Sequence, residues 1–138
     1  MQIKLIRINE DVHLKALNER GNEVLIDGSP DVGGKDLGVR PMELLLVAIG
    51  SCASMDLLHI LKKQRQIVED YDVIVNGERE KQGDVSLFKT IHMEFILKGK
   101  LDEEKVKHAL FLAVEKYCSV AKTLEHTAKI SYSYKIIL

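Results

Sequence analysis

The chain has few of the features that mark specialised protein classes. Its 138 residues include no tryptophan and only two cysteines, and its 20 basic residues are balanced by 21 acidic ones. Because there is no basic stripe with interleaved aromatic side chains, the sequence argues against a nucleic acid partner. It also has no internal repeat, low-complexity segment or linker, and its length suits one hydrophobic core. We therefore predict a single domain over residues 1–138.

Targeting and membrane signals are also missing. The first residues alternate charged and apolar side chains instead of giving a basic start, an apolar block and a small-residue cleavage site. The longest apolar stretch, residues 42–61, could span a bilayer by length, but it contains Glu43, Asp56 and His59, which are costly against lipid. We therefore expect a cytoplasmic protein without a membrane partner, in a reducing compartment where a stable structural disulfide is not expected.

The two cysteines, Cys52 and Cys118, lie far apart in the sequence and belong to no CxxC or histidine-rich motif. This pattern matches a structural zinc site poorly, since zinc ligands usually come in closely spaced pairs. We expect neither a metal nor another cofactor.

Hydrophobic periodicity predicts strands over residues 2–8, 12–17, 22–27, 71–79 and 85–97, and a last strand near the C-terminus. A loop rich in Gly, Pro and Asp covers residues 27–38. A long helix follows it, and a second helix and a short helical turn precede the last strand. Because the strands occur in runs without a repeated βα unit, we predict an α+β fold with antiparallel sheet.

Three apolar patterns support these elements. In the strand over 85–97, one face is predicted to hold Val85, Leu87, Ile91, Met93, Phe95 and Leu97, with the alternation broken only at Lys89. The second helix has an apolar stripe of Val106, Ala109, Leu110, Ala113, Val114 and Tyr117, and a short turn covers residues 119–126. In the last strand Ile130, Tyr132, Tyr134 and Ile136 alternate with polar residues.

The long helix is predicted over residues 41–65, a length of about 37 Å. Pro41 suits the first helical position, where its missing N–H costs nothing. Through the first five turns apolar residues point in almost every direction, as is typical of a helix that is enclosed on all sides. A single domain of this size has little material to enclose it, so we infer that a second subunit does.

Cys52 lies in this helix, and three interpretations of it remain open. A buried cysteine is most often an inert small hydrophobic side chain. It can instead be a nucleophile paired with a histidine, but His59 is about 10 Å away along the helix axis and is better placed to contact Asp56. As a redox thiol it needs a thiolate, and the helix dipole does not reach it. Arg20 or Arg40, from either subunit, can supply the positive charge.

Cys118 ends the second amphipathic helix and precedes Ser119, which we predict to be the N-cap of the next turn. Unpaired backbone N–H groups are therefore expected beside the Cys118 sulfur. From the local sequence alone, Cys118 is predicted to be the easier of the two thiols to ionise.

Two segments of the chain resemble the signatures of the OsmC/Ohr family, in particular its YhfA-like branch. They are RPMELLLVAIGSC with the MDLLHILKK that follows, and EKYCSVAKTLE before the last strand. The resemblance implies an OsmC-like fold, with antiparallel sheets wrapped around long central helices in an intertwined homodimer. It also implies thiol-dependent reduction of organic hydroperoxides.

By this resemblance, Cys52 attacks the peroxide and becomes a sulfenic acid, which Cys118 resolves as a disulfide. A dithiol, of the lipoyl type in the Ohr branch, is expected to reduce that disulfide. The substrate is expected to be a small apolar hydroperoxide, held in a pocket formed by Leu44, Leu45, Val47 and Ile49.

The family also has a glutamate directly after the proline and an arginine in the N-terminal hairpin. Here Met42 follows the proline, so that Glu43 is one residue late, and Arg20 matches the arginine loosely; Ser119 replaces the proline that usually follows the second cysteine. Glu43 and Arg20 are the candidate supporting residues. Besides the peroxidase, two hypotheses remain: a non-catalytic dimeric binding protein that lacks the activating Arg/Glu pair, and a cysteine-based hydrolase or transferase.

Overall fold

The computed structural model describes residues 1–138 and divides into two compact units, Met1–Leu45 and Leu46–Leu138. The first unit contains a three-stranded antiparallel sheet in the order β1-β2-β3, with β1 at Lys4–Arg7, β2 at Leu14–Leu17 and β3 at Glu23–Ile26. The first three predicted strands are confirmed, each shorter than its apolar pattern. The single-domain organisation stays a prediction.

The loop after β3 is organised by one buried carboxylate. Asp27, which is 1% exposed, accepts hydrogen bonds from the backbone N–H groups of Gly28, Lys35 and Leu37 at 2.8, 3.1 and 3.1 Å. A short 3-10 turn, Pro30–Val32, lies within the loop. These bonds replace the backbone partners that a strand or helix would provide, and the predicted loop over 27–38 is confirmed.

Helix α1, Pro41–Lys63, begins in the first unit and continues into the second. Pro41 occupies the first helical position, as predicted. The Glu43 carboxylate accepts a hydrogen bond from the backbone N–H of Arg40 at 2.7 Å, which is the return bond of a capping box. The predicted helix over 41–65 is confirmed, and it ends two residues early.

The second unit contains a three-stranded sheet in the order β4-β5-β6, with β4 at Asp70–Gln82, β5 at Val85–Lys98 and β6 at Lys129–Ile137. β4 and β5 form an antiparallel hairpin, whereas β6 pairs with β5 in the parallel direction. The α+β class is confirmed, but the prediction of antiparallel sheet is wrong for β6. The helical connection between β5 and β6 is a crossover, which returns the chain in the direction of β5.

The alternation of buried and exposed side chains along β5 shifts by one residue at Lys89. The ladder with β4 leaves Lys89 without a partner, which is a β-bulge. After the bulge the buried residues are odd-numbered, whereas before it Phe88 is buried and Val85 is 56% exposed. The prediction that Val85 and Leu87 share the face of the later residues is therefore wrong, because the extra residue shifts the alternation by one. The buried residues after the bulge are Ile91, Met93, Phe95 and Leu97.

The crossover consists of helix α2, Glu103–Phe111, a π-helical turn, Leu112–Tyr117, and helix α3, Ser119–Leu124. Asp102 caps α2, because its carboxylate accepts hydrogen bonds from the N–H groups of Glu104 and Lys105. The predicted apolar stripe is buried except for its last member, Tyr117. Its buried members are Val106, Ala109, Leu110, Ala113 and Val114.

Within the second unit, α1 packs one side against β4. Gly50 lies so close to this strand that a Cβ there would be 2.7 Å from Cγ2 of Val75, and Ser54 Oγ lies 2.6 Å from Tyr71 Oη. The buried side consists of Ile49, Gly50, Ala53, Ser54, Leu57 and Leu61.

The opposite side of α1 is open in the single chain. Val47, Met55 and Leu58 form a ridge along it and are 55%, 71% and 37% exposed. By length and composition α1 could also cross a membrane, a test that the core helix of a soluble protein passes as well. The enclosure of α1 by a second subunit stays a prediction.

Candidate active site

The two cysteines are neighbours within the second unit, although the sequence separates them by several elements. Cys52 lies on α1 and is partly exposed, whereas Cys118 is fully buried at the start of α3. Both are free thiols. Their side chains interact, since the Cys52 side chain contributes to raising the pKa of the Cys118 thiol. The fold thus brings together a partly exposed cysteine and a fully buried one.

The π-helical turn places Cys118 in this position. An uninterrupted α-helix would direct Tyr117 toward the core, four residues after Ala113 and seven after Leu110. The wider i→i+5 turn adds one residue to the helix, so that Cys118 is 0% exposed and Tyr117 is 53% exposed. The one extra residue in this turn therefore places Cys118, instead of Tyr117, at the position that faces the core.

The Cys118 sulfur serves as the N-cap of α3. Its Sγ accepts a hydrogen bond from the backbone N–H of Ala121 at 3.3 Å. The predicted N-cap, Ser119, is instead the first helical residue. The expectation that an N–H group lies beside the sulfur was correct, but the sulfur itself fills the capping role that a hydroxyl or carboxylate usually has.

Burial controls the ionisation of Cys118. Desolvation raises the pKa of its thiol to about 11, and the neighbouring Cys52 adds to the rise, while the N–H groups of Ala121 and Val120 oppose it. The expectation that the N–H groups beside Cys118 make its thiol easy to ionise is therefore wrong. Two backbone dipoles do not compensate for removing a charge from water in an apolar site, so Cys118 is a protonated thiol at neutral pH.

The candidate supporting residues, Glu43 and Arg20, belong to the first unit, as does Arg40. The Glu43 carboxylate is engaged by the Arg40 N–H at the start of α1. The Arg40 guanidinium forms an ion pair with Asp36. Arg20 lies in the turn between β2 and β3, where its backbone N–H donates to Asn18 and its side chain has no ion-pair partner within the chain. Their roles in the site stay predictions.

The residues expected to form an apolar pocket do not share one side of α1. Ile49 is fully buried in the core of the second unit, whereas Val47 belongs to the exposed ridge. Two positions that are two residues apart on a helix point in nearly opposite directions. The expectation of one pocket that includes both residues is therefore wrong.

Asp56 lies one helical turn beyond Cys52 on α1. It is partly exposed, and no other charged side chain of the protein forms an ion pair with it. The sequence pattern suggested a contact between Asp56 and His59, but no hydrogen bond or ion pair joins them. An unpaired carboxylate thus lies one helical turn away from the partly exposed Cys52. No group of three or more His, Cys, Asp or Glu side chains is placed to hold a metal ion.

Comparison with known proteins identifies relatives of this chain. The family model described as OsmC-like protein matches residues 33–133. The protein YhfA of Escherichia coli K12 is 38% identical over 118 residues, which cover 85% of this chain and 84% of that protein.

Solved structures have the same fold. The crystal structure of a hypothetical protein from Aquifex aeolicus VF5 superposes with a TM-score of 0.83 at 31% identity, covering 98% of this chain and 94% of the other. That of an organic hydroperoxide resistance protein from Elizabethkingia anophelis superposes with a TM-score of 0.72 at 12% identity, covering 98% and 96%. The chain belongs to the OsmC-like protein family.

Proposed function

We propose that this protein reduces organic hydroperoxides with Cys52 and Cys118 as its two reacting thiols. The observation that carries the proposal is the pairing of these thiols, one accessible and one enclosed, by elements distant in sequence. Membership of the OsmC-like family supports it, as does the likeness in fold to a protein named for organic hydroperoxide resistance.

The first step is the attack of the Cys52 thiolate on the outer peroxide oxygen. An S–O bond forms and the O–O bond breaks, so that Cys52 becomes a sulfenic acid and the substrate leaves as an alkoxide, which takes a proton to become an alcohol. Cys52 is assigned this role because it is the partly exposed cysteine of the two.

The second step joins the two cysteines. The Cys118 sulfur attacks the sulfenic sulfur, an S–S bond forms, and the departing hydroxide takes the Cys118 proton to leave as water. Burial keeps Cys118 protonated at neutral pH, so this proton is available in the site. An external dithiol, which we propose to be small or lipoyl-type, then reduces the disulfide by thiol–disulfide exchange and is itself oxidised.

We also propose that the working form is a homodimer. The exposed ridge of Val47, Met55 and Leu58 on α1 supports this, as do the exposed apolar residues Leu5 and Val24 of the first unit. Large apolar side chains left exposed in this number are typical of an interface. Met55→Asp should convert the protein to a monomer in sedimentation experiments, whereas Ile74→Asp, a change on exposed β4, should not. A monomeric wild type would contradict the dimer.

Peroxide titration tests the reaction. One equivalent of cumene hydroperoxide should remove both free thiols of the reduced protein, with cumyl alcohol as product. Cys52→Ser should abolish the loss of thiol, whereas Cys118→Ser should leave a sulfenic acid that a dimedone probe detects by mass spectrometry. If the wild type keeps both thiols at stoichiometric peroxide, the proposed function is wrong.

One observation favours a second candidate, a non-catalytic dimeric binding protein. The carboxylate of Glu43 and the guanidinium of Arg40 already have partners within the chain, which leaves the activation of Cys52 to other groups. Retention of both thiols in the titration, together with binding of an apolar ligand, would support this candidate.

A further inference from the structure

We propose that formation of the Cys52–Cys118 disulfide releases the first turn of α3, so that the oxidation state of the two cysteines controls the order of this helix. The inference rests on the proposed function, because that reaction produces the disulfide. It starts from the second role of the Cys118 sulfur, which caps the helix.

The start of α3 depends on the Cys118 sulfur. Its Sγ accepts a hydrogen bond from the N–H of Ala121 at 3.3 Å, and the N–H of Val120 also donates to it. These two N–H groups precede the first bond within the helix, which runs from the N–H of Lys122 to the carbonyl of Cys118 at 3.1 Å. Loss of an N-cap side chain destabilises the helix that it caps.

Helix α3 has little else to hold it in place. It has six residues, and Ala121 is the only buried one. A helix this short is not stable through its own backbone bonds, because the first turn is costly to form. An ion pair between Lys122 and Glu125 at 3.6 Å lies on its surface, and such pairs contribute little. The sulfur cap therefore supplies a large part of what orders the first turn.

Disulfide formation moves the Cys118 sulfur. Bonded sulfurs are about 2.0 Å apart, closer than two sulfurs in non-bonded contact, and both thiols are free in this structure. Cys52 lies in the middle of α1, where helical bonds fix the backbone on both sides. Cys118 instead lies between the π-helical turn and α3, with an extended backbone at φ −71° and ψ 104°. The displacement therefore falls mainly on Cys118, whose sulfur moves toward Cys52 and away from its capping position.

The contacts that carry this inference lie inside one chain. Cys118 is 0% exposed and Ala121 is 3% exposed, so a second subunit against α1 leaves the cap in place. Release of the first turn relaxes the enclosure of the Cys118 sulfur, to which Ala121 contributes. A reducing dithiol needs access to a sulfur of the disulfide, and the released turn provides that access on the Cys118 side.

Amide hydrogen exchange of α3 tests the inference. Reduced protein is compared with protein oxidised by diamide, which takes the hydrogen atoms of two thiols to become a hydrazine and leaves an S–S bond. Exchange is followed by mass spectrometry of peptides that cover residues 119–126. The helical amides should exchange about twofold to thirtyfold faster in the disulfide form, as expected for loss of an N-cap. Helix α2, which Asp102 caps, should exchange equally in both forms.

Three variants separate the cap from other effects of oxidation. Cys52→Ser keeps the sulfur cap and cannot form the disulfide, so diamide should not change the exchange of α3. Cys118→Ala removes the cap without an oxidant and should exchange about as fast as the disulfide form. Cys118→Ser places a hydroxyl at the capping position and should exchange slowly.

Equal or slower exchange of α3 in the disulfide form would overturn the inference. An equal rise in α2, or equal exchange of α3 in Cys118→Ala and Cys118→Ser, would overturn it as well. If the Cys118 variants do not fold, the comparison of the wild type with Cys52→Ser decides.

Failure of the proposed function has a different outcome. If diamide forms the disulfide and an organic hydroperoxide does not, the proposed function is wrong, and the exchange of α3 still decides the inference. If the hydroperoxide forms the disulfide and α3 exchanges no faster, only the inference is wrong. If neither oxidant forms the disulfide, both are wrong.

Discussion

The Cys118 thiol should resist alkylation well above neutral pH. Burial raises its pKa from an ordinary value of 9.0 to about 11. The thiolate is the species that reacts with iodoacetamide, so at about pH 8 roughly one Cys118 in a thousand is reactive, against about one in ten for a thiol with the ordinary value. We therefore expect a suppression of about a hundredfold from ionisation alone, to which the enclosure of the sulfur adds.

The Cys52→Ser variant isolates this thiol for measurement. The substitution removes one cause of the raised pKa, the neighbouring Cys52, but leaves burial, which is the largest cause. The pH of half-maximal alkylation should therefore fall relative to that of Cys118 in the wild type and still exceed 9. The reduced variant is treated with iodoacetamide at a series of pH values, and modification is followed by mass spectrometry of the peptide containing Cys118.

The same variant unfolded in guanidinium chloride provides the control, and it should react as an ordinary cysteine does. Half-maximal alkylation of the folded variant at or below pH 9 would refute the reasoning. It would mean that the N–H groups at the start of α3 outweigh desolvation, in which case Cys118 would be the better candidate for the attacking thiol.

Three further predictions follow from the same contacts. The free energy of unfolding of the reduced protein should fall as pH rises from about 9 to about 11, because folded Cys118 keeps a proton that the unfolded chain has lost; urea denaturation should show a weaker fall in Cys118→Ala. Gly50→Ala should lower the free energy of unfolding by about 1–2 kcal/mol, since overpacking against the rigid Val75 exceeds the better helix propensity of alanine. Glu43→Ala should cost about 0.5–1 kcal/mol through loss of the bond at the start of α1, measured by the same denaturation, whereas Glu43→Gln should cost less.

Local patterns in the sequence were sufficient to locate nearly all the elements. Pro41 marked the start of α1 because proline suits the first helical turn, and the loop after β3 followed from its Gly, Pro and Asp content. Strand β6 followed from an alternation of period two. Each of these features depends on residues that are only a few positions apart, so it can be predicted from the local sequence.

The direction of β6 and the bulge at Lys89 could not be obtained in this way. Whether a strand pairs in the parallel or antiparallel direction depends on the path of the connection before it. The bulge depends on how two strands align, since one residue of β5 has no counterpart on β4. Alternation alone therefore assigned Val85 to a face that it does not occupy.

The candidate site, too, could be predicted only in part from the local sequence. The two signature segments pointed to Cys52 and Cys118 through a family resemblance, and the sequence pattern also placed Asp56 on the same stripe of α1 as Cys52. The sequence did not reveal the π-helical turn, which places Cys118 inward in place of Tyr117. That turn differs from a regular helix by one residue, and hydrophobic periodicity does not resolve so small a change.

The sequence by itself determined which segments are helix and strand, and it pointed to Cys52 and Cys118 as the candidate reacting thiols. Only the tertiary structure decided that Cys118 is enclosed and that its pKa is raised, because desolvation arises from neighbours that are distant in the chain. The local sequence predicted N–H groups beside Cys118 and, from them, an easily formed thiolate. The packing around the sulfur reversed that prediction, since enclosure in an apolar core disfavours the charge more than those dipoles favour it.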